Sequence, residues 1–74
     1  MIQVRLDYLL LDRRMKLIEL AERTGLALNN LSLLKTGKVK AIRFSTLEAI
    51  CRALECQPGE LIEYVPDADA ADAS

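Results

Sequence analysis

Apolar side chains fall along this chain at two spacings. Ile2, Val4 and Leu6 alternate with polar neighbours, which suits a short extended start. Leu6, Leu9, Leu10 and Arg13 then fall at helical spacing and predict a first helix ending near Arg14. Leu17, Leu20, Ala21 and Thr24 repeat the i, i+3, i+4, i+7 pattern of a second helix, and Gly25 follows where a helix end favours left-handed backbone. A third helix starts after two or three residues, at about Leu28, and runs to Thr36, where Gly37 ends it. Two short helices with so short a join cannot lie antiparallel and must cross at a steep angle.

Lys38 to Phe44 reads as a basic connector. Ser45-Thr46-Leu47-Glu48 reads as a capping box opening a fourth helix, with Leu47, Ile50, Cys51 and Leu54 on one face. Gln57-Pro58-Gly59-Glu60 starts a fifth helix, with Pro58 at its first position and Glu60 where the helix dipole favours an acid. That helix is expected to end near Tyr64. Ile62, Tyr64 and Val65, like Ile2, Val4 and Leu6, are also able to form short extended pieces that pair within or between subunits. The pattern therefore predicts an all-α domain over residues 1–65, possessing at most short extended termini, and a small-residue acidic tail at 66–74 that is expected to be disordered.

Composition narrows the picture. A 74-residue chain is one domain that buries only roughly 60% of its unfolded surface. With 51% apolar residues and three aromatics, its core must be built from Leu, Ile, Val and Ala, as packed helices are. The start lacks a basic segment followed by a long apolar run, and no apolar stretch approaches the ~20 residues of a membrane span, so a cytoplasmic location without membrane contact is expected. Cys51 and Cys56 are too few for a disulfide framework, and five residues apart they are expected to point to different sides as core thiols. There is no histidine, Gly-rich phosphate loop or metal-ligand cluster, which speaks against an enzyme, a cofactor or a small-molecule ligand.

The net charge of −1 conceals an asymmetry. Residues 1–43 hold nine basic groups against four acidic ones, whereas residues 44–74 hold Arg52 alone against seven acids. A polyanion is drawn to the first part and repelled by the second.

The blocks Glu19-Leu20-Ala21-Glu22-Arg23-Thr24-Gly25-Leu26, Asn30-Leu31-Ser32-Leu33-Leu34-Lys35-Thr36-Gly37-Lys38 and Thr46-Leu47-Glu48-Ala49-Ile50-Cys51-Arg52-Ala53-Leu54 resemble the Cro/CI-type (XRE-like) helix-turn-helix regulators. The closing Cys56-Gln57-Pro58-Gly59-Glu60-Leu61-Ile62-Glu63-Tyr64 is similar to a subgroup of very short members. The resemblance covers about residues 5–65 and implies a five-helix lambda-repressor-like fold whose helix-turn-helix spans about Lys16 to Thr36. It also implies a sequence-specific transcriptional regulator, acting as a repressor on double-stranded DNA. Ala21 is small where the two helices must approach closely, and Leu20, Leu26, Leu31 and Leu34 supply the apolar contacts between them.

Carried over residue by residue, the resemblance places the third helix in the major groove with Leu28, Asn29, Ser32 and Leu33 facing the bases. Phosphate contacts fall to Lys16, Leu17, Thr36, Lys38, Lys40 and Arg43, Leu17 offering only its backbone amide. Better-known members often carry Gln, Arg or Lys on the reading arc and Ser or Thr at its cap; this chain has Ala27, Leu28 and Leu33. Asn29 alone can make a bidentate contact, with adenine preferred, while Leu28 and Leu33 suit either thymine methyl groups or a protein partner. A domain this small is expected to work as a homodimer reading two half-sites one turn apart, held by the fifth helix and one or both chain ends. The competing reading is a helix-turn-helix turned to protein recognition, antitoxin-like or an anti-repressor, through that same apolar face.

Overall fold

A computed structural model describes residues 1–66. The order is β1 (Ile2–Val4), α1 (Leu6–Asp12), α2 (Leu17–Thr24), α3 (Leu28–Lys35), α4 (Phe44–Leu54), α5 (Pro58–Leu61) and β2 (Ile62–Tyr64). The five helices are those the periodicity predicts. The tail expected at 66–74 lies, from residue 67 on, outside the described residues.

The chain is not purely all-α. β1 and β2 form an antiparallel pair with Ile2 opposite Tyr64, Gln3 opposite Glu63 and Val4 opposite Ile62. The two ends thus pair within one subunit. Backbone bonds extend the ribbon at both ends, from the Arg5 amide to the Leu61 carbonyl at 2.6 Å and from the Val65 amide to the Met1 carbonyl at 2.8 Å. The fifth helix is correspondingly shorter than the pattern suggests: Ile62 adopts φ −127°, ψ 143°, and the chain leaves the helix to pair with β1. Ile62 is β-branched and suits the pleated backbone.

One core joins all five helices. Leu6, Leu9 and Leu10 of α1, Leu20 of α2, Leu31 and Leu34 of α3, Ile50 and Leu54 of α4, Leu61 of α5 and Cys56 are buried together. Val4 and Ile62 of the ribbon pack against this cluster. No polar or charged side chain is buried among the described residues. No helix among them is long and apolar enough to cross a membrane.

Two local expectations fail for physical reasons. α4 begins at Phe44 with Arg43 as N-cap, so Ser45 lies inside the first turn and makes no capping bond. The earlier start lets the Arg43 carbonyl accept from the Leu47 amide at 3.0 Å, adding a rung to the helix, while the exposed serine hydroxyl is left to water. The cysteines do not point apart either. Glu55 takes left-handed backbone at φ 52° and returns the chain, so the Cys56 amide donates to the Cys51 carbonyl at 3.0 Å.

Candidate nucleic-acid interface

The α2–α3 unit is held by local chemistry. The Glu19 carboxylate accepts from the Lys16 amide at 3.3 Å, which is half of a capping box, since a lysine cannot return the bond. At the other end the Thr24 hydroxyl donates to the Leu20 carbonyl at 2.7 Å and accepts from the Leu26 amide at 3.2 Å. Between them Gly25 sits at φ 74° with its amide on the Ala21 carbonyl at 2.9 Å, ending α2 and turning the chain. Leu20 and Leu31 are wholly buried and Leu34 nearly so, and Ala21 and Leu26 pack against them. All five positions assigned to the scaffold serve it.

Burying Leu31 and Leu34 leaves the opposite face of α3 in solvent. Leu28, Asn29, Ser32 and Leu33 are all exposed, Leu28 by 45% and Leu33 by 38%. They are not brought into one site, however. Leu28, Asn29 and Ser32 share a shallow groove with Leu17 and Ile18 at the start of α2. Leu33 sits about 140° around the helix from Leu28 and does not line that groove. The N-cap of α3 is Ala27, which has the right extended backbone and no side-chain acceptor, so the amides of the first turn carry no side-chain cap.

The basic candidates fall on two sides of α3. Lys16 is the exposed N-cap of α2, followed by half-buried Leu17. On the other side Lys38, Lys40 and Arg43 are exposed along the α3–α4 connector, where half-buried Val39 and Ile42 pack against the core. Apolar anchors at 39 and 42 thus hold a short segment down while its charges face out. Lys38 is fixed by a Schellman turn: its amide donates to the Leu33 carbonyl at 3.0 Å, and Gly37, at φ 73°, donates to the Leu34 carbonyl at 3.1 Å. Ion pairs among the described residues engage Arg5, Arg13 and Arg52; Lys16, Lys38, Lys40 and Arg43 take part in none.

Thr36 differs from its neighbours in this set. Its hydroxyl donates to the carbonyls of Ser32 at 3.1 Å and Leu33 at 3.2 Å, and its amide donates to the Ser32 carbonyl at 3.1 Å. Both donors are occupied, so a phosphate contact requires the hydroxyl to rotate.

Three residues of this surface are absent from the sequence-based set. Ile18 is 53% exposed and lines the groove beside Leu28; its signal was an apolar residue on the polar side of an amphipathic helix. Exposed Asn30 shares a hollow with Arg43 and Thr46. Lys35 lines a hollow with Lys16, Leu17 and Tyr8, joining the basic side of α3 to the start of α2 across α1.

The family model described as the Cro/C1-type HTH DNA-binding domain matches residues 5–67. The chain is also 58% identical over 66 residues to a Bacillus subtilis (strain 168) protein named "Uncharacterized HTH-type transcriptional regulator YozG", covering 89% of this chain and 79% of that one. No solved structure matches.

Proposed function

Because the chain belongs to the Cro/C1-type helix-turn-helix DNA-binding domain family, we propose that it is a sequence-specific transcriptional regulator, a repressor, that binds cytoplasmic DNA as a homodimer with α3 of each copy in the major groove. One observation carries this reading: the exposed face of α3 lies between basic side chains on both sides that make no ion pair among the described residues. The named role of the Bacillus relative supports it.

In this reading Asn29 contacts adenine with both atoms of its amide, Ser32 hydrogen-bonds a base edge, and Leu28 and Leu33 meet thymine methyl groups. Ile18 extends the apolar contact from α2. Lys16, Lys38, Lys40 and Arg43 grip phosphates, the Leu17 amide meets one at the start of α2, and Thr36 joins them after its hydroxyl turns. Phosphates fix register while the α3 side chains choose sequence.

A second copy docks, in the same proposal, on the paired chain ends, where Ile2 and Tyr64 stand opposite each other and are 63% and 70% exposed. These residues lie outside the helix-turn-helix, and Tyr64 belongs to the strand that directly follows the fifth helix. Sedimentation at tens of micromolar checks the dimer, and a monomer there removes it.

Selection from random duplexes at two salt concentrations tests the function. The expected product is a motif of two inverted half-sites about one helical turn apart, recovered at both salts. A single unpaired half-site contradicts the dimer, and no enrichment contradicts sequence-specific binding. The exposure of Ile18, Leu28 and Leu33 also favours a second reading, recognition of an apolar protein surface, whose affinity changes little with salt.

A further inference from the structure

The end of α4 brings together two thiols that DNA binding does not use. The Cys56 amide donates to the Cys51 carbonyl at 3.0 Å and the Glu55 amide to the Arg52 carbonyl at 3.4 Å, with Glu55 left-handed between them. These are the long and short bonds of a Schellman turn, in which the side chains at the two ends of the long bond meet. Here both ends are cysteine. Standard backbone bond lengths across that 3.0 Å bond hold the two Cα atoms within roughly 7 Å of each other, which is where disulfides form.

The two thiols sit in unlike surroundings. Cys51 is half-buried and lines an open groove with Phe44, Leu47, Gln57 and Pro58. Cys56 is buried in the core cluster. Burial, then the charge and hydrogen bonding of Cys51 and the charge of Glu60, push the Cys56 thiol up to about 11 against the smaller opposing pull of Arg13. Cys56 therefore stays protonated beside a more accessible partner, and both are free thiols.

We propose that Cys51 and Cys56 form a modification site, a reacting thiol on the groove and a resolving thiol behind it, that closes to an intramolecular disulfide when the protein meets a hydroperoxide. The Cys51 thiolate attacks one peroxide oxygen; the S–O bond forms as the O–O bond breaks, and the departing oxygen takes a proton and leaves as water or an alcohol. Cys51 is then a sulfenic acid. The Cys56 sulfur attacks the Cys51 sulfur, the S–S bond forms as the S–O bond breaks, and the proton of Cys56 leaves with the hydroxide as water. Two electrons pass from the thiol pair to the peroxide. The ring closed is local, and neither cysteine belongs to α2 or α3, so the helix-turn-helix persists in the oxidised chain.

The test uses the full reduced chain, treated with hydrogen peroxide at pH 8, capped with iodoacetamide after unfolding and weighed intact. The expected product is two hydrogens lighter than the reduced chain, carries no cap, runs as a monomer on a non-reducing gel and returns to the reduced mass with dithiothreitol. Its Tm exceeds that of the reduced chain by about 5 °C or more, because the crosslink restricts the unfolded chain. Oxygen adducts on Cys51 with Cys56 still capped, or disulfide-linked dimers, overturn the proposal. Cys51→Ala is expected to slow oxidation of Cys56 at least about tenfold. Equal rates overturn the assignment of Cys51 as the reacting thiol.

Discussion

Arg13→Ala is expected to lower stability by about 2 kcal/mol. Arg13 follows α1 and reaches across to the end of α4, where its Nε donates to the Leu54 carbonyl at 2.8 Å. Leu54 is the last residue of α4, so this is a carbonyl that the helix leaves without an internal partner, at the negative end of the helix dipole. A part-buried hydrogen bond from a charged donor contributes about 1.5–3 kcal/mol. The remaining contacts add little: the Glu55 carbonyl is at 3.5 Å, and the Glu60 and Asp12 carboxylates, at 3.6 and 2.8 Å, are half or mostly exposed. A chain of 74 residues has about 4–11 kcal/mol of net stability, so the loss is a large share of it. At about 4–8 °C per kcal/mol for a domain of this size, Tm should fall by about 8–16 °C in a circular dichroism melt. Arg52→Ala, which breaks an exposed pair with Glu48 four residues back on α4, serves as the control and should barely move Tm. A fall for Arg13→Ala no larger than for Arg52→Ala would refute the stapling role.

Other outcomes follow from particular atoms. Ala27→Ser gives α3 the side-chain cap it lacks and should raise Tm, by about 4–8 °C for the usual ~1 kcal/mol; an unchanged or lower Tm contradicts the free first turn. Because the Cys56 thiol titrates near 11 when folded and near its ordinary 9.0 when unfolded, the unfolded chain loses that proton first as pH rises. Stability should therefore decline between pH 9 and 11 under reducing conditions, and Cys56→Ala should decline less; parallel curves would exclude the burial effect. Asn29→Ala should relax the preference at one base pair in the selected motif and leave the rest intact, whereas an unchanged motif rules out direct readout by Asn29.

The helices were legible because each buries one stripe: Leu20 with Ala21, Leu31 with Leu34 and Ile50 with Leu54 sit at helical spacing and are packed inward. Gly25 and Gly37 marked two helix ends, and both take left-handed backbone. What was not legible depends on partners distant in sequence. Ile62 to Tyr64 is an extended piece because β1 lies beside it some sixty residues away, and no local pattern says which strand will pair with which. Arg13 occupies a helical-spacing position in the sequence, yet its partner is a carbonyl on α4. Glu55 is a left-handed residue without being glycine, so the turn that joins the cysteines had no punctuating residue to announce it. At the interface the basic connector was readable from Lys38, Lys40 and Arg43 alone. The division of α3, with Leu28, Asn29 and Ser32 grouped beside Ile18 and Leu33 apart, required the crossing of α2 over α3.

The most direct test of DNA binding is the salt dependence of affinity for the selected duplex, measured by fluorescence anisotropy between about 50 and 200 mM salt. With four basic side chains per copy on phosphates, log K should fall against log salt with a slope of about −3.6 per bound copy or steeper. Lys40→Ala with Arg43→Ala should weaken binding to every duplex and flatten the slope by about 1.8 per copy. A slope near zero, or one that the double substitution leaves unchanged, would contradict a phosphate-gripping rim around α3.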